Sequence, residues 1–201
     1  MQATVAVVLA AGSGSRFGST KPLAELNGRP LIAHVLDTAR QGGVDRCLVV
    51  VGHEHLAVAD VLADHQDVEV VVNPDHERGQ ATSVRAGIEA VERDDDAQVA
   101  VMLLADQPGI EPVVIRQVVA ALEDGADAAR ASYDDRPGHP VAFPRRTWSR
   151  LLDELAGDQG ARQLLDDLDV AHVLVPGPTP PDIDRPEDLA RLAEADPGPT
   201  D

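Results

Sequence analysis

The sequence is poor in aromatic residues, in lysine and in cysteine, and each shortage excludes something. Phe, Tyr and Trp together make up 2% of the 201 residues, so a core must be assembled mainly from the Val, Leu, Ile and Ala within the 43% hydrophobic content. A lone cysteine, Cys47, rules out an intramolecular disulfide, and its place in an apolar run marks it as a buried, inert thiol. No run of eighteen apolar residues is present, so no membrane-spanning helix is expected. No basic stretch followed by an apolar one opens the chain. A secretion signal is therefore not expected, and the protein is assigned to the cytoplasm. His53, His55, His65 and His76 lack the spacings that would join them to Cys47 in a zinc site.

Positive charge is also scarce. Seventeen basic residues face thirty-five acidic ones, for a net charge of −18. Such a chain repels nucleic acid and anionic membranes, so neither is expected as a partner. A triphosphate could be held only by a local cationic patch, a metal, or both. Sixteen of the basic residues are Arg and one is Lys. That one, Lys21, falls in the most glycine-rich stretch, either by chance or because a compact ammonium is needed there.

What the chain does have is an alternation of strand-like and helix-like segments. Thr4–Ala10 reads as a strand buried on both faces, followed by a loop over Gly12–Lys21. Pro30 opens a helix whose inner face is Leu31, Ile32, Val35, Leu36 and Ala39, and Gly42-Gly43 end it. Cys47–Val51, Val68–Val72 and Val99–Leu104 read as further strands, with helices expected over Leu56–Ala63, Thr82–Glu92 and Val113–Leu122. Thr82 or Ser83 is expected to cap the second of these. Beyond them the pattern weakens. Strands are expected at Ala126–Ser132, Pro140–Phe143 and Val170–Val175, and helices at Thr147–Leu155, Ala161–Leu168 and Pro186–Glu194. This order predicts an α/β fold, with a mostly parallel sheet between helices on both faces. One domain over residues 1–195 is expected, with a frayed tail at 196–201. Ligands of such sheets gather at the carboxyl ends of the strands, which puts the glycine-rich loop, Asn73 and Asp106 on one edge.

The loop Leu9-Ala10-Ala11-Gly12-Ser13-Gly14-Ser15-Arg16-Phe17-Gly18-Ser19-Thr20-Lys21-Pro22 can present backbone N–H groups and two cations to phosphate oxygens. A Walker loop is excluded, because Lys21 runs into Pro22 rather than into Ser or Thr and a helix. Gly12, Gly14 and Gly18 approximate a dinucleotide fingerprint, but the second strand ends in Val51-Gly52-His53 without the acid that would hold a ribose. Asp106, just past a buried strand, suits either a hard cation such as Mg²⁺ or a simple turn. Asp182-Ile183-Asp184-Arg185-Pro186-Glu187-Asp188 reads as a helix start with an Asp cap and an early Pro, which leaves room for a second role.

These residues resemble the signature L-A-A-G-x-(G/S)-x-R-x-G-x-x-K of the MobA-like NTP transferase family, and more narrowly its molybdenum cofactor cytidylyltransferase group. Asn73–Ser83, Leu104–Pro108, Gly138–Phe143, Gly157–Arg162 and Ile183–Asp188 follow in the family's order. Gln80 stands where Met is common and Arg185 where Thr is usual. The resemblance implies a three-layer Rossmann-like fold of the nucleotide-diphospho-sugar transferase type. It implies that Leu9, Ala10, Ala11, Gly12, Gly14, Asn73, Gly79 and Ser83 contact the nucleotide, and that Arg16 and Lys21 bind its triphosphate. Asp106 and Asp184 would hold Mg²⁺, with Asp182 a weaker candidate, and Arg16, Lys21 and Asp106 would form the catalytic set. His139, Asp158 and Gly160 would border the acceptor.

Relatives with Ala at the position of Ala11 tend to use CTP. The implied reaction is transfer of CMP to a phosphorylated small molecule, at the phosphate of molybdopterin bearing molybdenum, with release of pyrophosphate. A molybdenum enzyme or its chaperone would be a transient partner. Sugar, polyol or phospholactate-type acceptors stay open. So do a quinone-dye oxidoreductase of the same superfamily and a non-catalytic nucleotide sensor.

Overall fold

In the computed structural model, which describes residues 3–12, 21–52, 55–63, 65–155 and 165–195, the strands are β1 (Ala3–Ala10), β2 (Glu25–Leu26), β3 (Arg29–Pro30), β4 (Arg46–Val51), β5 (Val68–Val72), β6 (Ala97–Leu104), β7 (Ala128–Ser132), β8 (Pro137–Pro144) and β9 (Val170–Leu174). The helices are α1 (Leu31–Gln41), α2 (His55–Leu62), α3 (Gln80–Glu92), α4 (Pro112–Ala120), α5 (Arg145–Glu154) and α6 (Pro186–Ala195).

Seven strands form one sheet in the order β5-β4-β1-β6-β8-β7-β9. β5, β4, β1 and β6 pair in parallel, β8 runs antiparallel to both β6 and β7, and β9 is parallel to β7. Only β8 is therefore reversed. Side chains alternate across a strand, and that alternation divides β1 between two cores. Ala6, Val8 and Ala10 pack with α1, α2 and α4 on one face, while Val5, Val7 and Leu9 pack with α3 and α5 on the other. Both faces are covered, so the middle strands are apolar throughout, as expected of strands in a parallel sheet. The three-layer α/β expectation holds.

With few aromatics, small and branched residues let the layers approach closely. A Cβ built on Gly87 of α3 would lie 2.5 Å from Val7 Cγ1 of β1, so only glycine lets this helix sit at that depth. Trp148 of α5 is fully buried, and its indole N–H donates to Phe143 O at 3.1 Å.

The sequence pattern differs from the structure in a few places. α3 begins at Gln80, two residues earlier than expected, with Gly79 (φ 116°) at its cap and no side chain capping it. The Thr82 hydroxyl instead shares its hydrogen between Gly79 O and Asp75 O, at 2.8 and 3.1 Å. β2 and β3 form a small hairpin turning through Asn27 and Gly28, both at positive φ. Residues 165–168 form turns, and the rest of the helix expected at Ala161–Leu168 lies outside the described residues. So does the tail at 196–201. Among the described residues no helix is long and apolar enough to cross a membrane.

Candidate active site

Parallel strands bring their carboxyl ends to one edge, and the reversed β8 brings its amino end to the same edge. The chain following Leu9–Ala10, Gly52, Asn73, Ala105–Asp106, Tyr133–Arg136 and His139 are therefore neighbours along one rim of the sheet. Ala105 N donates to Leu9 O at 3.1 Å, locking the exits of β1 and β6 together.

Lys21 opens a short 3-10 turn whose buried Pro22 fixes its direction. Its ammonium donates to Asp106 Oδ2 at 2.5 Å and to Asp184 Oδ1 at 2.7 Å. These residues are 85 and 163 positions away in the chain. The Lys21 side chain is 13% exposed, against 26% for Asp106 and 55% for Asp184, so solvent reaches the cluster from the Asp184 side. Burial alone would lower the Lys21 pKa, but the hydrogen bonds and charges of the two carboxylates outweigh it and hold the pKa above the usual lysine range.

Asp184 is delivered by its neighbour. Ile183 is fully buried with Leu26 and Leu31, against Leu189 and Leu192 of α6, and its N–H donates to Asp106 O at 2.9 Å. Asp188 then accepts from the backbone N–H groups of Asp184 and Arg185, at 3.1 and 2.9 Å. The acid that satisfies this helix start thus lies inside α6 and reaches back, rather than preceding the helix as expected. Asp182 points the other way and accepts from Gln107 Nε2 at 2.6 Å. Burial, followed by the charge of Asp106, raises the Asp182 carboxyl above its usual range.

One cation bound between Asp106 and Asp184 is the arrangement a divalent metal would need. Two oxygen donors on one edge, open to solvent on one side, fit a hard cation that keeps waters and takes phosphate oxygens as further ligands. Among the described residues no cluster of three or more acids, His or Cys is placed to enclose a metal alone.

Around this centre lie the other expected site residues. Leu9, Ala10 and Ala11 are buried, and Gly12 is exposed at the edge. Asn73 is buried and ties β5 to α3, since its Nδ2 donates to Thr82 Oγ1 and Ser83 Oγ at 2.9 and 3.0 Å. Ser83 is likewise buried, so these two side chains are engaged with each other. His139 lines a cavity beside Gln107 and Asp182. His139 itself is half-buried. That burial, with the nearby Arg130 charge, lowers its pKa to about 4. Gly14, Arg16, Asp158 and Gly160 lie outside the described residues. Gln107 and the cavity arginines Arg130 and Arg136 were not among the expected site residues. The signal for Arg136 was its position two residues before the Gly138–Phe143 motif.

The model of a MobA-like NTP transferase domain matches residues 6–173. The bifunctional protein GlmU of Azorhizobium caulinodans is 36% identical over 142 residues, covering 69% of this chain but 31% of that protein. A 3-deoxy-manno-octulosonate cytidylyltransferase of Anaeromyxobacter is 32% identical over 155 residues, covering 77% of this chain and 60% of the relative. The chain thus spans less than two thirds of the length of these relatives. Crystal structures of Rv0371c from Mycobacterium tuberculosis superimpose with TM-scores of 0.83 and, in complex with manganese, 0.80. They are 30% and 29% identical and cover 96% of this chain and 100% of theirs.

Proposed function

The chain belongs to the MobA-like NTP transferase family, and on that premise we propose that it transfers CMP from CTP to a phosphorylated small molecule, at the phosphate of molybdopterin bearing molybdenum. The observation that carries the reading is the convergence of Lys21, Asp106 and Asp184 on one sheet edge. A divalent metal, Mg²⁺ in this reading, would be held by Asp106 and Asp184 and would supply charge neutralisation where acceptor and α-phosphate oxygens meet. Manganese in a related structure is in keeping with such a site.

The acceptor oxygen forms a bond to the α-phosphorus, and the bond from that phosphorus to the bridging oxygen breaks, releasing pyrophosphate. The acceptor phosphate is already ionised, so no general base is needed. What the protein supplies is positioning and charge stabilisation. Lys21 exchanges its carboxylate partners for phosphate oxygens of the triphosphate and, with Arg16, stabilises the charge that builds on the leaving group. Ala11 favours cytosine over guanine. Asn73 and Ser83 hold the start of α3, where Gly79 leaves the backbone open to the nucleotide. Asp158 and Gly160, with His139, border the acceptor. The reaction takes place in the cytoplasm, and a molybdenum enzyme or its chaperone receives the product.

A second reading keeps the CMP donor and changes the acceptor, as the name of the octulosonate cytidylyltransferase relative suggests. The test is pyrophosphate release with each of the four nucleoside triphosphates and Mg²⁺, against molybdopterin and a panel of phosphorylated acceptors. Release that requires CTP and molybdopterin supports the first reading. Release with another acceptor supports the second, and no release with any pair overturns both.

A further inference from the structure

The transfer chemistry leaves two arginines unused, and both line the same cavity. This cavity, of about 280 Å³, adjoins the metal-binding edge at Gln107 and Asp182. Its floor is apolar, made by Met102, Val141 and Phe143 on the α3 and α5 face of the sheet. Arg130 lies on β7 directly opposite Val141 in the ladder, and Arg136 immediately precedes β8. In a protein of net charge −18 the described lining reverses sign, with two guanidinium groups against one carboxylate. That carboxylate, Asp182, is turned into a hydrogen bond with Gln107. Arg136 Nε is 3.8 Å from Asp135 Oδ2, and both side chains are at least half exposed, so exchanging this ion pair for a ligand costs little. Arg130 is close enough to His139 for its charge to help keep that ring neutral. Its field therefore reaches the cavity wall rather than solvent alone.

We propose that this cavity seats a second anionic group of the acceptor, remote from the reacting oxygen and held by Arg130 and Arg136. Calling the ligand an acceptor rests on the transfer reading, whereas the anion seat itself does not. The acceptor class is then that of the second reading, a compact molecule with two anionic ends. One end reacts at the Asp106–Asp184 centre, a short apolar stretch lies over Met102, Val141 and Phe143, and a carboxylate, phosphate or comparable anion meets the arginines. Arginine suits the distal group because its planar fork matches such oxyanions.

The test uses two probes that share a phosphate and differ at the far end, 3-phosphoglycerate and glycerol 3-phosphate. Each is titrated calorimetrically into the full chain with Mg²⁺, alone and with the non-transferable analogue α,β-methylene CTP. We expect 3-phosphoglycerate to bind about tenfold tighter, equivalent to about 1.4 kcal/mol for one charge-assisted contact. Arg136→Gln, at an exposed position, and Arg130→Lys, which keeps the charge on a partly buried strand but not the fork, should each shrink that preference at least threefold (roughly half the free-energy gap). Thermal melts check that both variants fold. Equal binding of the two probes, or a preference that survives both substitutions, overturns the proposal. Failure of the CTP analogue to bind counts against the transfer reading alone, because the probe preference measured with Mg²⁺ still decides the anion seat.

Discussion

A lysine is the right cation for the centre of this site because an ammonium is small enough to touch two carboxylates at 2.5 and 2.7 Å and turn from them to a phosphate. A guanidinium is larger and planar and would push Asp106 and Asp184 apart. Lys21→Arg is therefore expected to lower kcat by about 10²-fold, the order found when one charge-stabilising donor is lost. The melting temperature should hardly move, since the cluster is partly open to solvent. Asp106→Ala should lose at least as much activity and should also abolish the response of the melting temperature to added Mn²⁺. Steady-state pyrophosphate release and thermal melts check both. His139 gives a prediction in pH. Its imidazole titrates near 6.5 when unfolded and near 4 in the protein. Between these values the unfolded chain binds more protons, so stability falls as pH drops from 6.5 to 4, by up to about 3 kcal/mol. His139→Asn should flatten that part of the profile in denaturant melts taken at each pH. The residues of the centre were legible in the sequence because each sits in a short contiguous motif. The partnership of Gln107 with Asp182 was not, because a hydrogen bond across 75 positions leaves no local pattern.

Elements place these residues, and two contacts carry much of that work. Gly87 lets α3 press on Val7, so Gly87→Ala should force the helix outward and cost about 1–3 kcal/mol. The start of α3, proposed to face the nucleotide, would move with it, so a fall in melting temperature together with weaker CTP binding is the expected signature. Ile183 acts more locally. It is fully buried, but in a small cluster separate from the two large cores. Ile183→Ala should lose turnover at least about tenfold while the global melt shifts less than the 2–5 kcal/mol typical of a main-core truncation. Hydrogen exchange should show α6 opening on its own. The long elements were readable because β1, β4 and β6 are continuous apolar runs and α1 carries an apolar stripe. The β2–β3 hairpin was not, because two-residue strands have no period to detect. Its one signal was Asn27-Gly28, a pair that favours the left-handed turns closing hairpins. The start of α3 was misplaced because a glycine, not a hydroxyl side chain, stands at its cap.

At the scale of the whole molecule, two apolar cores flank one sheet and an acidic surface surrounds them. The layering followed from the alternation of strand and helix, whereas the reversed direction of β8 did not, since residues 137–144 read the same either way. That reversal is what brings Arg136 and His139 to the rim shared with Asp106. The charge of −18 makes its own prediction. Self-repulsion destabilises a compact chain of one sign, and salt screens it over about 10 Å at 0.1 M. Raising KCl from about 20 to about 200 mM should lift the melting temperature by about 2–5 °C. A fall over that range would mean that attractive ion pairs dominate the surface.

The strap that brings Asp184 to Asp106 through Ile183 also has a consequence in time. A ribosome releases Lys21 and Asp106 before Asp184, so a nascent chain that has already laid down β1 and β6 still holds only half of the clasp. The two carboxylates that meet Lys21 therefore come together only after residue 184 has emerged. A product cut short before residue 183 would keep every strand of the sheet and lack the second carboxylate, and on the proposed reading it is expected to be inert rather than partly active.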